Sequence, residues 1–384
     1  MPASITANIS KQSRRSFLKK VAGISLGASM LPLTGCESLA VDPVATGFEF
    51  PFLTPTESFF VQYGADGALA EWKGLQQIPR NTWRLAIDGL VDNPLSLSFA
   101  DLDADPTIIQ TFIATLRCIL DNNAVPGLIG TATWTGVPLR VFLDRAGINM
   151  QQGKRIRLYG ADGFTNNIKL DKIYGQGAAA QSDAGQIEPM LVFAMNGSPL
   201  ENEHGAPVRL LMPGHYGYKS IKWIERIEVV ADDTRFGTYQ EILGYDDDGT
   251  IDISCKSTSI LKGALLTPGP TRIAGFALSG YAGIAAVDIT INDEPTQSAR
   301  IISQSELLAN EASLAPAQQF NAPDQFSYPF TGVWTLFEYL WDAPPGTHVI
   351  RIEAKDASGN IQPQTDDDPT DGQNPVIEVN VRVE

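Results

Sequence analysis

The chain has 384 residues, 43% of them hydrophobic and 19% charged, enough apolar mass for roughly two to three folded domains and too much for a disordered chain. Forty-four acidic residues against 28 basic ones give a net charge of −16. Five of the bases and no acid precede Cys36, so the chain from Cys36 onward carries −21, a surface that repels nucleic-acid phosphates and anionic lipid headgroups. Three cysteines and three histidines, with no Cys-x-x-Cys or His-Glu-x-x-His, argue against a disulfide scaffold, structural zinc, covalent haem or a multi-histidine metal cage. Any chemistry falls to a cysteine or to a bound cofactor.

The N-terminal segment stands apart. Ser13-Arg14-Arg15-Ser16-Phe17-Leu18-Lys19-Lys20 leads into a mild apolar stretch, Val21–Leu33, diluted by Gly23, Ser25, Gly27 and Ser29, and then into Leu33-Thr34-Gly35-Cys36. The stretch is too short and too diluted to span a bilayer well. The paired arginines resemble a twin-arginine (Tat) export signal. The last four residues resemble a lipobox, in which Cys36 is lipidated and becomes the new N-terminus. Removal of residues 1–35 is expected to leave a periplasmic lipoprotein held to a membrane only by its acyl chains. The twin-arginine route carries folded proteins, whose usual cofactors are inserted before export. Residues 36–56, with Pro43, Pro51 and Pro55, read as a tether.

Strand signals begin at Trp83. Trp83–Ile87 and Leu95–Phe99 alternate around the turn Asp92-Asn93-Pro94, and Asp101 or Asp103 is placed to cap a short helix. Phe112–Ile119 reads as a buried strand. Val137–Ala146 has helical spacing and stops at Gly147, a C-cap residue. Arg155–Tyr159, Phe164–Ile168 and Met190–Met195 are further strands, with a hairpin turn predicted at Asn196-Gly197. Pro207–Met212, the loop 213–217 and Ile221–Val230 complete this half. A polar, turn-rich stretch at 231–253 marks a domain boundary. Beyond it come seven strand signals: Thr258–Leu261, Thr271–Leu278, Ala285–Ile291, Ala299–Ser303, Val333–Leu340, His348–Ala354 and Val376–Val383. That spacing suits a two-sheet sandwich of the immunoglobulin type. Glu306–Tyr328 is expected to be a long loop. The acidic run 366–371 lacks a full EF-hand pattern and reads as a solvated loop.

The informative stretch is Thr115-Leu-Arg-Cys118-Ile-Leu-Asp-Asn-Asn-Ala-Val-Pro-Gly127-Leu-Ile-Gly130-Thr-Ala-Thr-Trp134-Thr-Gly136-Val-Pro-Leu139. A thiol at a strand end, before a polar Gly-rich loop, suits a soft metal, although a lone buried cysteine is more often a small core residue. The stretch resembles the molybdenum-cysteine segment of the sulfite oxidase family. Two later blocks extend the resemblance: Met195-Asn196-Gly197-Ser-Pro199-Leu200 with Glu203-His204-Gly205-Ala206-Pro207-Val208-Arg209, and Pro213-Gly214-His-Tyr-Gly217-Tyr-Lys219-Ser220-Ile-Lys222-Trp223. Thr267-Pro-Gly-Pro, Gly275-Phe-Ala, Trp334 and Ala357-Ser-Gly-Asn360 look like the family's immunoglobulin-like dimerisation domain.

The resemblance implies an α+β, mainly β, molybdopterin-binding catalytic domain at 57–235, followed by an all-β immunoglobulin-like sandwich at 250–384. It implies one molybdenum-molybdopterin per chain, two-electron oxo transfer, and Cys118 as the protein's metal ligand. His215, Gly217, Lys219, Ser220 and Lys222 fall in the cofactor-binding block, and Gln62 and Tyr63 in the segment beside it. His204 reads as structural, and Asp162-Gly163 first as a turn. The family's arginine and histidine in Phe-Phe-Val-Arg-Asn-His are replaced in Phe59-Phe60-Val61-Gln62-Tyr63-Gly64. Its oxyanion-binding arginine gives way to Asp121-Asn122-Asn123, and its active-site tyrosine to Phe193. Cys118, Asn123 and Phe193 are therefore the expected catalytic positions, and efficient sulfite oxidation is not expected. Arg117 neighbours Cys118 on a strand and faces the other way, so it is not expected to stand in. Two alternatives are a sulfoxide-type reductase of related fold and a non-catalytic lipoprotein on the same scaffold. With no haem or iron–sulfur motif in the chain, a separate electron carrier such as a periplasmic cytochrome is the expected partner, with a homodimer through the second domain.

Overall fold

The computed structural model describes residues 50–62, 77–121, 127–174, 187–366 and 372–384. Calls on the signal, on Cys36, Tyr63 and Asn123, and on most of the acidic run lie outside those residues. The first half is built on two sheets. In the first, β1 (Arg84–Gly89), β2 (Leu95–Ser98), β5 (Arg155–Gly160), β6 (Thr165–Lys169) and β10 (Ile224–Val230) lie in the order β2-β1-β10-β5-β6. The period-2 pattern decides which face is buried: Leu85 and Ile87 of β1, Ile156 and Leu158 of β5 and Ile227 of β10 share one core. The helix Leu139–Ala146 packs onto that core through Phe142 and Leu143 and ends at Gly147, whose φ of 70° is the left-handed C-cap expected there.

The second sheet carries the Cys118 block. β3 (Gln110–Arg117), β4 (Ile129–Pro138), β7 (Met190–Met195) and β8 (Ser198–Pro199) lie in that order, and β9 (Arg209–Leu211) pairs with β7. Asn196 (φ 48°) and Gly197 (φ 75°) make the predicted hairpin turn between β7 and β8. The polar stretch expected as a loop after Cys118 is in large part β4, which pairs with β3 from Gln110↔Gly136 to Arg117↔Ile129. β3 is an edge strand, yet Phe112 to Arg117 are all buried. The reason lies in the second half of the chain. The segment expected as a loop, Glu306–Tyr328, overlaps the helix Gln304–Asn310 and contains the helix Gln318–Asn321. Its Gln319 side chain accepts from the Ile113 N–H (3.0 Å) and donates to the Ile113 carbonyl (2.7 Å), as a neighbouring strand would. Thr115 N–H donates to Gly332 O (3.0 Å) one pair further on.

The second half holds two sheets. β11 (Ser254–Ser257), β13 (Gly269–Leu278), β16 (Arg300–Ile301) and β17 (Thr335–Ala343) lie in the order β11-β13-β17-β16. β12 (Leu265–Leu266), β14 (Ile284–Ile291), β15 (Gln297–Ser298), β18 (Gly346–Asp356) and β19 (Ile377–Val383) lie in the order β12-β19-β18-β14-β15. Both sheets feed one apolar core, including Ile273, Phe337, Val287, Ile352 and Val381.

Three local expectations need correction. The first strand of this half is Ser254–Ser257, not Thr258–Leu261. There Thr258 N–H and Ser259 N–H both donate to Ala274 O (2.9 and 3.3 Å), Ser259 Oγ accepts from Ala274 N–H (2.7 Å) and Thr258 Oγ1 donates to Ala274 O (3.3 Å), so side-chain bonds interrupt the regular ladder. The short helix Phe99–Leu102 begins at Ser98. Asp101 is its third helical residue, accepting from Ser98 N–H (2.7 Å) in a capping box, and Asp103 is the C-cap. Residues 50–56, expected within the tether, pack into the protein: Phe52 is fully buried, its N–H donates to Glu311 (2.7 Å) and its carbonyl accepts from Trp334 Nε1 (2.8 Å).

Candidate functional site

Cys118 follows the last residue of β3. Its N–H donates to Leu128 O (2.9 Å), and its carbonyl accepts from Asp121 N–H (3.0 Å), so the chain after it is closed into a short loop. The thiol is free and partly buried. Burial pushes it up to about 11, so the thiol is protonated at neutral pH. Two elements flank this strand end. The ring of Phe59 lies against Gly130, where an added Cβ would stand 2.7 Å from it, and Gly130 pairs with Leu116. On another side Gly217 approaches the Arg117 carbonyl, and a Cβ there would come within 3.3 Å of that oxygen.

Phe59 also borders a cluster of buried bases. Its ring meets Trp134 (5.7 Å) and His204 (5.8 Å) edge-on. The Arg209 guanidinium lies over the Trp134 ring (5.5 Å) and donates to His204 O (3.1 Å), and its Nε, fully buried, has no partner among the described residues. Burial drives Arg209 down to about 10 and His204 to about 4, so the imidazole is neutral. Gly205 between them has φ 105°, and a Cβ there would meet Lys222 and Arg209 side chains at 3.0 and 3.1 Å, so both side chains rise from one spot. Lys222 Nζ donates to Glu203 O (2.7 Å); burial, then the Arg209 charge, push it down to about 7. Asp162 faces the same cluster, and burial pushes it up to about 6.

The loop 213–220 is bolted down from within. Ser220 Oγ accepts from Met212 N–H (3.0 Å). Lys219 is buried with its ammonium donating to Asn167 O and Asp247 O (both 2.7 Å), and burial brings it down to about 8. Lys219 therefore works inside the protein and does not offer its charge to a cofactor phosphate. His215 Nδ1 donates to Pro213 O (2.9 Å), while Nε2 is buried with no partner among the described residues. Asp247 and Asp233, both from the stretch expected as a domain boundary, grip the buried Arg155 at 3.0 and 2.6 Å, so that stretch is part of the wall behind the loop.

Other expected positions fare differently. Phe193 sits at a bulge in β7 opposite Thr135 and Gly136, which pair with Thr111 and Gln110. That is the end of β3 away from Cys118, about 20 Å along the strand. Its ring meets Phe99 edge-on (5.6 Å), so the structure does not bring it against the thiol. Gln62 is half-buried at the end of the segment that carries Phe59. Arg117 is fully buried and turned away from the cysteine: it donates to Asp121 O (2.9 Å) and Ser254 Oγ (3.1 Å) and lies over the Tyr216 ring, so it does not stand in for an anion-binding arginine. Arg209 was not among the expected site residues, although its place in Gly205-Ala-Pro-Val-Arg209 was the available signal.

Residues 73–237 match the family described as "Oxidoreductase molybdopterin binding domain". The chain is 26% identical over 347 residues to sulfite oxidase of Gallus gallus, covering 82% of this chain and 69% of that one. It is 30% identical over 230 residues to the NADPH nitrate reductase of Neurospora crassa, covering 52% of this chain and 22% of that one. The crystal structure of the sulfane dehydrogenase SoxCD from Paracoccus pantotrophus superposes with a TM-score of 0.64 at 22% identity, over 87% of this chain and 84% of that one. Residues 73–237 thus carry a molybdopterin-binding oxidoreductase domain, and the likeness to sulfite oxidases along most of the chain supports a place in that family. The chain is an oxidoreductase whose cofactor is molybdopterin.

The residues present fit that cofactor. Molybdopterin brings a phosphate and a polar heterocycle. Arg209 Nε and His215 Nε2 are buried polar atoms without partners among the described residues, and a buried unpaired polar atom costs about 1–3 kcal/mol unless a ligand satisfies it. Arg209 and Lys222 supply cations close together, and Gly217 allows backbone to approach the strand end that bears the free thiol.

Proposed function

We propose that this family member is an exported, lipid-anchored enzyme in which Cys118 ligates the molybdenum, Arg209 and Lys222 hold the cofactor's anionic end, and the substrate is neutral or weakly charged rather than sulfite. The observation that carries the reading is the free thiol of Cys118 at a buried strand end, with Phe59 packed on Gly130 of the neighbouring strand and its ring against His204 of the Arg209–His204–Lys222 cluster. When bound, the cofactor supplies a two-electron oxygen-atom transfer centre. The protein's share is to hold it: the Cys118 backbone is fixed by Leu128 and Asp121, Arg209 contributes a charge-assisted donor through Nε, and the neutral His204 adds bulk without a second charge. The C-terminal sandwich is read as the immunoglobulin-like dimerisation domain, and electrons pass to a separate carrier.

The substrate reading rests on charge. Sulfite in a dry pocket needs charge-assisted donors. The family's cations are replaced at Gln62 and Asn123, Arg117 is committed to Asp121 and Ser254, and Lys219 to two carbonyls. Two missing charged hydrogen bonds, at about 1.5–3 kcal/mol each, weaken sulfite transition-state binding by roughly 10²- to 10⁴-fold. The relatives' names span sulfite oxidation, nitrate reduction and sulfane dehydrogenation, so oxidation of reduced sulfur and reduction of an oxo donor are both within the reach of this fold.

Metal analysis of protein matured in a molybdopterin-competent host tests the ligand assignment. About one molybdenum per chain is expected, falling well below that in Cys118→Ser and in Arg209→Met; undiminished molybdenum in Cys118→Ser rejects it. Dye-coupled turnover over a substrate panel tests the rest, and a sulfite kcat/KM of about 10⁶ M⁻¹s⁻¹ or more overturns the substrate reading. For export, the paired change Arg14→Lys and Arg15→Lys should trap precursor in the cytoplasm, and Cys36→Ala should release the mature protein from membranes.

A further inference from the structure

We infer that Asp121 and Lys256 are positioning residues for Cys118, so that the C-terminal half of the chain holds the metal-binding cysteine in place; this rests on the reading of Cys118 as the ligand. Asp121 is fully buried, three residues after the cysteine, and its carboxylate is occupied on both oxygens. Oδ1 accepts from Gly127 N–H and Leu128 N–H, each at 3.1 Å. Leu128 is the residue whose carbonyl takes the Cys118 N–H. Oδ2 takes Lys256 Nζ at 2.7 Å and lies 3.4 Å from Arg117 Nε. One carboxylate thus ties together both ends of the loop that starts at Cys118.

The chemistry explains the choice of residue. Two backbone N–H groups and two cations converge on one group, and only an acceptor bearing negative charge satisfies all four; an asparagine would turn an NH₂ towards a cation. Lys256 lies on β11, in a different sheet from Cys118 and 138 positions along the chain. Arg117 reaches the same element through Ser254 Oγ at 3.1 Å, and the Asn374 amide donates to the Asp121 carbonyl at 3.4 Å. All these contacts end on residues 117–121, the segment that contains the proposed ligand. Groups that orient a metal ligand in this way change metal affinity by about 10- to 100-fold when removed.

The experiment uses full-length protein, with and without cofactor, as Lys256→Met, Lys256→Arg and Asp121→Asn. In cofactor-free protein, iodoacetamide labelling is read separately at Cys118 and at the buried Cys255 by peptide mass spectrometry. Lys256→Met is expected to raise Cys118 labelling about tenfold with Cys255 unchanged, because the loop opens locally. Lys256→Arg should restore the slow rate, and Asp121→Asn should behave like Lys256→Met. In loaded protein, the Mo(V) electron paramagnetic resonance signal should change in Lys256→Met and return in Lys256→Arg. Unchanged Cys118 labelling, or a parallel rise at both cysteines, overturns the proposal. If Lys256→Met does not fold, the same readouts on Asp121→Asn decide it. Failure of the ligand reading shows separately, as undiminished molybdenum in Cys118→Ser.

Discussion

The two halves of the molecule spend their interiors differently. Between the last two sheets the core is almost wholly apolar, Ile273, Phe337, Ile352 and Val381 among its members. Most charge there is kept near the surface, as in Arg351–Glu378, where the two side chains are 50% and 52% exposed, and the buried Asp356 has its carboxylate taken up by Ser279, Ser358 and Asn360. In the first half, Arg117, Asp121, Arg155, Arg209 and Lys219 are all buried. Burying a charge is unfavourable unless it is paired, and replacing buried pairs with apolar residues is often neutral or stabilising. Arg117, Asp121, Arg155 and Lys219 have their partners within the protein, so it is Arg209, whose buried Nε has none among the described residues, that points to ligand binding.

That contrast can be tested by substitution. Phe337→Ala removes a ring from the apolar core and is expected to lower unfolding free energy by about 3–5 kcal/mol in a denaturant titration. By contrast, Arg209→Met is expected to leave stability within about 1 kcal/mol while lowering molybdenum content. A large loss of stability in Arg209→Met would mean that its charge serves the fold.

Acid should separate the halves as well. His215 in the folded chain is pushed from 6.5 down to about 4, chiefly by burial, and His204 is shifted the same way. Between those pH values the unfolded chain holds a proton that the folded chain rejects, so stability falls as pH drops from about 6.5 to 4. For His215 the contribution is on the order of 3 kcal/mol. The slope of stability against pH should fall over that window in His215→Gln, with the His204 share remaining, and an unchanged slope would show that the His215 imidazole accepts a proton in place. The smallest effect is expected from Arg351→Ala, below about 1 kcal/mol by melting temperature, since exposed ion pairs are screened.

Most of the strands were legible because alternation is local: Leu85 and Ile87, or the β18 stretch His348–Ala354, display their burial pattern within a few residues. The errors had tertiary causes. Glu306–Tyr328 lacks strand periodicity, and its short helices are held by what they cover, Gln319 closing the open edge of β3 at Ile113. The Thr258–Leu261 stretch has strand-forming residues, but its hydroxyls found backbone partners across the sheet.

The sequence by itself determined most of the strands, the Asn196-Gly197 hairpin, and the Cys118 and Gly205–Arg209 blocks that carry the family resemblance, because each depends on residues close together in the chain. Only the tertiary structure decided what surrounds each charge. Lys219 and Lys222 look alike in the sequence, yet Lys219 is enclosed by Asn167 and Asp247 while Lys222 stands beside Arg209. Asp121 looks like one more polar loop residue until Lys256, 135 positions away, closes on it. The physical reason is that the fate of a charge depends on what is packed around it, and those neighbours come from distant parts of the chain.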